Sequence, residues 1–280
     1  MLRPIAKWLS AGLAVILVSG LAGAQESPKP QTPSVAAVQE SASPAATPAA
    51  SAPVPEAPKI SPLAEKLLRR ACGELSSADA FTFHAEIVFD QVLRHNVKLQ
   101  FSGAADYAVE HPDGFAINYN SDLGAKDLWY DGQTLTIFDP PHMVYAVAPM
   151  PPTIDGMLAS AAKYKLLIPL SDLAASDPCG ISKDILFGVY VGVNDVEGTA
   201  CDHLAFTEKS ADWQIWLPHT GRPLPRKILI NYRTQLGAPQ WAAVLSDWKF
   251  PAEIPESKFH ATIPGKAIRI EFKKPEETKP

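Results

Sequence analysis

From Phe81 onward apolar side chains fall on every second residue, and this period of two most narrows what the chain can become. Phe81, Phe83, Ala85, Ile87 and Phe89 share one parity. Thr82, His84, Glu86 and Asp90 share the other, with Val88 as the exception. Successive side chains of a strand point to opposite faces, so the pattern predicts a strand with one apolar and one hydrated face. Val97, Leu99 and Phe101 alternate with Lys98, Gln100 and Ser102 in a second strand, and Tyr107 and Val109 continue it. Pro112-Asp113-Gly114 then turns the chain into Phe115, Ile117 and Tyr119. Asp131-Gly132 joins Leu128-Trp129-Tyr130 to Leu135–Phe138 as a further hairpin, because Asp-Gly supplies the positive φ of a tight turn. More strands are expected over 143–148, 185–193, 201–206, 213–217, 227–232, 241–248 and 268–272.

The period changes in two places. Ser61-Pro62 ahead of Leu63, Leu67, Leu68 and Ala71 reads as a capped amphipathic helix. Thr153 to Tyr164 carries Ile154, Met157, Leu158, Ala161 and Ala162 at helical spacing, with Asp155 in the first turn. Pro169 is a stop signal beyond this helix, and 170–175 is expected as a second short helix. The order is therefore helix, strands, helical insert, strands. That order predicts an α+β domain built on an antiparallel meander, not a parallel sheet alternating with long helices.

Outside this domain the composition shifts. Arg3 and Lys7 precede an apolar stretch from Leu9 to Leu21, and Ala22-Gly23-Ala24 supplies small residues for cleavage. Residues 1–24 are expected to be a signal peptide cut after Ala24, which places the protein in the periplasm with no transmembrane anchor after cleavage. An uncleaved N-terminal anchor is the alternative. Ala24 stands where a lipoprotein signal would need Cys, so no acyl tether is expected. Residues 25–59 form a Pro/Ala/Ser-rich stretch whose eight prolines and lack of aromatics predict a disordered linker. The domain is assigned to 60–272, and 273–280 to a charged, frayed tail. Removing the signal leaves 23 Lys and Arg against 30 Asp and Glu, and no basic block, which argues against nucleic acid as a partner.

Little in the sequence points to catalysis. The seven histidines show no two-His helical spacing, and no Gly-x-Ser-x-Gly or phosphate-binding glycine loop occurs. No catalytic residue, metal site or cofactor is assigned. Cys201 and His203 share a strand face and could form a thiol–imidazole pair, but a metal would need two further ligands. Structural packing of His203 is the simpler reading. Of the three cysteines, Cys179 and Cys201 are the first pair to test as a disulfide, because Cys72 lies far upstream in the first helix; three unpaired thiols are the alternative.

Several motifs stand in a familiar order. They are Trp129-Tyr130-Asp131-Gly132, Tyr145 before a Pro-rich stretch, Pro169-Leu170-Ser171-Asp172-Leu173, Tyr190-Val191-Gly192, and His203-Leu204-Ala205-Phe206. Asp212-Trp213-Gln214-Ile215-Trp216 and Pro223-Leu224-Pro225-Arg226-Lys227 complete the series. Over about residues 62–250 the chain resembles the DUF2092 family of predicted periplasmic proteins, grouped with the fold of the LolA and LolB lipoprotein carriers. The resemblance implies a strongly curved antiparallel sheet, an unclosed β-barrel, with helices as a lid on its concave side. His111-Pro112 departs from the Arg-Pro that the resemblance leads one to expect at that hairpin.

These readings converge on a non-catalytic carrier or sensor. Its expected cavity lining is Phe81, Phe83, Ile87, Phe89, Leu99, Phe101, Phe115, Ile117, Trp129, Phe138, Met157, Leu158 and Trp213. The expected ligand is a lipid or the acyl chain of an acylated protein, worth about 0.8 kcal/mol per buried CH₂. Within Trp213-Gln214-Ile215-Trp216, one indole could line a cavity and the other cover the outside; ordinary core packing plus a lid contact is the simpler reading for either. Two alternatives remain: a module with a filled core that docks an envelope protein partner, and a Cys/His-dependent enzyme.

Overall fold

The computed structural model describes residues 59–272, except for the side chains of residues 181–183. The expected signal peptide, linker (to residue 58) and tail lie outside the described residues.

Helix α1, Pro62–Leu75, begins at the Ser-Pro pair that predicts it. Ser61 accepts a hydrogen bond from the Ala64 amide at 3.3 Å, and Pro62 occupies a first-turn position where no amide is needed. Its buried stripe is Ala64, Leu68, Ala71, Cys72 and Leu75, while Leu63 is exposed. Strand β1 (Ala80–Val92) leads into five more antiparallel strands: β2 (Lys98–Glu110), β3 (Gly114–Ser121), β4 (Gly124–Asp131), β5 (Thr134–Asp139) and β6 (Val144–Pro149). Gly132 has φ of 81°, and the Asp131 carboxylate accepts from the Gln133 and Thr134 amides. The β4–β5 hairpin is thus a backbone device, as the Asp-Gly pair implies.

The insert comes next. Helix α2, Ile154–Ala161, is capped by Thr153, whose hydroxyl accepts from the Gly156 amide at 3.1 Å. It tightens into a 3₁₀ turn over Ala162–Tyr164. Two further 3₁₀ turns, Ser171–Ala174 and Pro178–Asp184, replace the expected second short helix. Strands resume with β7 (Phe187–Val196), β8 (Thr199–Thr207), β9 (Asp212–Pro218), β10 (Lys227–Asn231) and β11 (Gln240–Lys249). The last strand, β12 (Ile268–Arg269), pairs parallel to β6, the one departure from an antiparallel sheet.

The sheet order is β12-β6-β5-β4-β3-β2-β1-β11-β10-β9-β8-β7. Its outer strands do not pair with each other, so the barrel stays open. Laid flat, 12 strands at about 4.8 Å spacing would span roughly 50 Å. Yet one continuous cluster of buried side chains takes members from β1 to β6, from β8 to β11 and from both helices. Only a strongly curved sheet brings strands from both halves onto one core. The helices therefore lie on the concave side.

On the convex side the cover is smaller. Phe259, in a 3₁₀ turn over Glu256–Phe259, packs on Ala108 and Ala116, with Trp129 and Ile254 beside it. A second patch joins Val196, Cys201 and Trp216.

Candidate functional site

The concave side has two halves that differ in packing. Between β1, β2 and β11 the space is filled by aromatics of the sheet itself. Phe83 stacks on Tyr107 at 4.5 Å and on Trp248 at 4.6 Å, and Phe81 lies 5.7 Å from Phe250. Helix α2 closes the neighbouring region: Ile154 and Met157 are fully buried, and Leu158 nearly so. Hydroxyl groups pin the insert to the sheet. Tyr130 donates to the Pro151 carbonyl and Tyr107 to the Pro169 carbonyl, the latter at 3.0 Å. Burial pushes the Tyr107 hydroxyl far above its ordinary value and, with Asp113 and Asp131 adding to the shift, that of Tyr130 up to about 12. Both remain neutral donors.

The other half is not filled. A cleft of about 660 Å³, its open mouth included, lies between α1, the 169–178 segment and strands β9 to β11. Leu68, Ala71, Cys72 and Leu75 line it from α1. Leu170, Asp172, Leu173 and Pro178 line it from the roof. Trp213, Ile215, Pro225, Ile228, Ile230 and Trp241 line it from the sheet. The Trp213 indole N–H donates to the buried Glu208 carboxylate at 2.8 Å, which fixes the ring against the cleft wall.

The roof is tied down at several points, among them Ser176, whose amide and hydroxyl donate to the Asp155 carboxylate of α2. Cys72 and Cys179 form a disulfide with Cα atoms 5.4 Å apart, joining α1 to the Pro178–Asp184 turn. The Tyr107–Pro169 bond holds the near end. A further tie is His111, whose ring nitrogens lie 3.2 Å from the Ala78 carbonyl and 3.0 Å from the Ala174 carbonyl. The ring is held between two backbone carbonyls, one before the hairpin and one in the roof. The residue that departs from the expected Arg-Pro thus serves as a cross-brace between hairpin and roof.

The structure distributes the residues expected to line a cavity over several places. Of the 13 residues, Trp213 lines the cleft. Phe81, Phe83, Ile87, Phe115, Ile117, Met157 and Leu158 belong to the closely packed core, away from the cleft. Phe89 packs partly against that core, Phe101 is half-buried with its ring 6.0 Å from that of Phe89, and Leu99 is 40% exposed. Trp129 and Phe138 face the other way. Directly opposed strand residues share a face, and Ile117 opposes Leu128 while Phe115 opposes Tyr130, which leaves Trp129 on the convex side. Leu135 and Ile137 contribute to the main core, so Phe138, next in the alternation, points outward.

The division of the two indoles stands: Trp213 faces the cleft and Trp216 the convex patch. The Cys179–Cys201 pairing does not. Cys179 is bonded to Cys72, and Cys201 is a buried free thiol on the convex side. Folding carries α1 onto the roof and overrides the distance in sequence. Cys201 is no activated nucleophile, because burial pushes its thiol up from the ordinary value, the reverse of what a reactive thiolate needs. His203 stacks on Trp216 at 4.1 Å and uses both ring nitrogens on Asn194 and Gln214. Among the described residues no group of three or more His, Cys, Asp or Glu could hold a metal ion.

Among the described residues the architecture is an open, strongly curved sheet with helices across its concave side. The chain belongs to DUF2092, a family of predicted periplasmic proteins, whose match runs over residues 64–273. No curated protein matches the sequence. Three solved structures with similar folds are LprF from Mycobacterium bovis, the lipoprotein LppX from Mycobacterium tuberculosis and a LolA superfamily protein from Nitrosomonas europaea. LprF is 13% identical, with 75% of this chain and 100% of that one covered and a TM-score of 0.43. LppX is 12% identical, with 69% and 99% covered and a TM-score of 0.43. The Nitrosomonas protein is 12% identical, with 71% and 97% covered and a TM-score of 0.36. Among the described residues no helix is long and apolar enough to cross a membrane.

Proposed function

We propose that this protein is a non-catalytic carrier or sensor of the periplasm, exported by a signal peptide cut after Ala24, that holds an apolar ligand in the cleft beneath α1. The observation that carries the reading is the unfilled apolar space itself, bounded by a roof that is bonded at defined points. Its lining is apolar except for Asp172, which suits a hydrocarbon ligand. The ligand class is a lipid or the acyl chain of an acylated protein. The ligand enters by the open mouth of the cleft, since α2 is part of the core and does not serve as the door.

Native mass spectrometry of protein released from the periplasm tests this. The expected spectrum carries an adduct of lipid mass that organic extraction removes, and the stripped protein takes up a neutral fluorescent alkyl probe. Adduct-free protein that also ignores the probe would end the reading.

A second reading, a docking module for an envelope protein, is favoured by a different observation. Among the described residues strand β7 pairs only with β8 and, through a single bridge at Gly188, with Ile60. Phe187, Val191 and Val193 stand exposed along it. A free apolar edge of this kind can receive a strand from a partner. A pull-down partner lost with Val191→Lys but retained when the cleft is blocked would favour it.

A further inference from the structure

Asp172 is out of place. It lies in the Ser171–Ala174 turn, next to Leu170 and Leu173, and it lines the cleft among hydrocarbon and indole surfaces. No other residue that lines the cleft carries charge. Among the described residues no cation or side-chain donor meets its carboxylate, and the turn's own backbone supplies the local hydrogen bond. The neighbouring elements offer it nothing else. α1 presents Leu68, Ala71, the disulfide-bonded Cys72 and Leu75, and the Pro178–Asp184 turn presents Pro178. The strands present Trp213, Ile215, Ile228, Ile230 and Trp241. The titratable groups close by are Tyr232, whose hydroxyl is raised by burial and by Asp172, and Glu208, which is bonded to the Trp213 indole.

Asp172 is half-buried, and its carboxylate is the one charge on an otherwise apolar wall, where a cationic group would meet it. Two indole rings line the same space, and indole faces attract cations. We propose that Asp172 is the specificity determinant of the cleft and selects an amphiphile with a protonated amine head, its alkyl body lying against Trp213 and Trp241. This rests on the cleft being a ligand site. A fatty acid would place a second anion beside Asp172 and is disfavoured, although its tail would fit as well.

The test uses three ligands with one tail: dodecylamine, dodecanol and dodecanoate. Each displaces the neutral probe N-phenyl-1-naphthylamine from the disulfide-intact protein at about pH 8, below micelle formation. The amine is expected to act at about tenfold to a hundredfold lower concentration than the alcohol, the range for a hydrogen bond to a charged group, and dodecanoate to be weakest. In Asp172→Asn the amine and the alcohol are expected to be equal, with alcohol binding retained. Burial holds the Asp172 carboxyl up to about 6, so the amine-over-alcohol preference of the unaltered protein is also expected to shrink between about pH 8 and pH 5. That arm decides the matter should the variant not fold. Equal binding of amine and alcohol by the unaltered protein, or a preference that survives both Asp172→Asn and acid, overturns the assignment and leaves the cleft reading standing. Failure of probe, alcohol and amine alike overturns both.

Discussion

The Cys72–Cys179 bond closes a loop of 107 residues that contains all of β1 to β6 and α2. Breaking it returns the entropy of that loop to the unfolded chain. The chain-entropy relation gives about 4.7 kcal/mol for a loop near 100 residues. Domains of this kind are stable by only about 5–15 kcal/mol, so the bond is a large fraction of the whole. The perturbation is Cys72→Ser with Cys179→Ser, and separately reduction of the unaltered protein. Urea unfolding monitored by tryptophan fluorescence is expected to show both lowered by about 3–5 kcal/mol in the same direction. Thiol counting identifies the pair: the denatured, unreduced chain should expose one reactive thiol, Cys201, and peptide mapping should join the peptides carrying Cys72 and Cys179. Cys201→Ser should leave the bond in place. A double variant within about 1 kcal/mol of the parent, or three free thiols in the oxidised chain, would refute the reasoning.

Three other outcomes are expected from the packing and the charges. Met157→Ala removes a fully buried side chain from α2 and should cost about 2–5 kcal/mol in the same urea assay; a negligible loss would mean that α2 is a movable lid after all. His84 is bonded to Asp106 at 2.7 Å and to Glu86 at 3.1 Å, and these bonds raise its pKa above the ordinary value. Its contribution is therefore full below the unfolded-state pKa and lost as pH rises through the folded one, and His84→Gln should remove that slope from the urea midpoint between about pH 5 and 9. Asp172, raised to about 6 by burial, has the opposite consequence from an ion-paired carboxyl: it destabilises the fold progressively as pH rises from about 4 through 6. Asp172→Asn should then stabilise the protein at about pH 8 by at most about 3 kcal/mol, with no gain near pH 4, and a loss of stability at pH 8 would contradict it.

Much of the fold is written locally, which is why it could be read. The alternation from Phe81, the Asp131-Gly132 turn, the Ser61 and Thr153 caps and the break at Pro169 each act within a few residues. The parity of Leu128-Trp129-Tyr130 is different. Three consecutive apolar residues carry no alternation, and only the pairing of β4 with β3 decides which side Trp129 takes. An outward aromatic there is not penalised, because Phe259 arrives from more than 100 residues away to cover it. The disulfide was illegible for the same reason, since a 107-residue separation is bridged by the tertiary fold alone. Asp172 was visible as the one charge within Pro169-Leu170-Ser171-Asp172-Leu173, but its significance depends on knowing that this turn roofs a cleft.

The position of the cleft has a physical cause in side-chain size. Around β1 and α2, large groups meet large groups: Phe81, Phe83, Tyr107, Met157 and Trp248 leave no space between sheet and insert. Beneath α1 the facing stripe is Ala71 and Cys72 alongside Leu68 and Leu75, and the roof adds Leu170, Asp172, Leu173 and Pro178. The small side chains among these face the cleft-lining indoles of Trp213 and Trp241, and the disulfide and His111 hold the roof backbone in place. An apolar hollow of this kind has few ways to close except by acquiring atoms from outside the chain. Enlarging Ala71 to Leu supplies some of those atoms from within. It should lower ligand capacity with little loss of stability, since the added methylenes enter space that already exists. The same substitution within the filled half, for example Ala85→Leu beneath β1, would overpack a closed core and cost about 1–3 kcal/mol. Equal destabilisation by the two substitutions would mean that the space beneath α1 is not there to be filled.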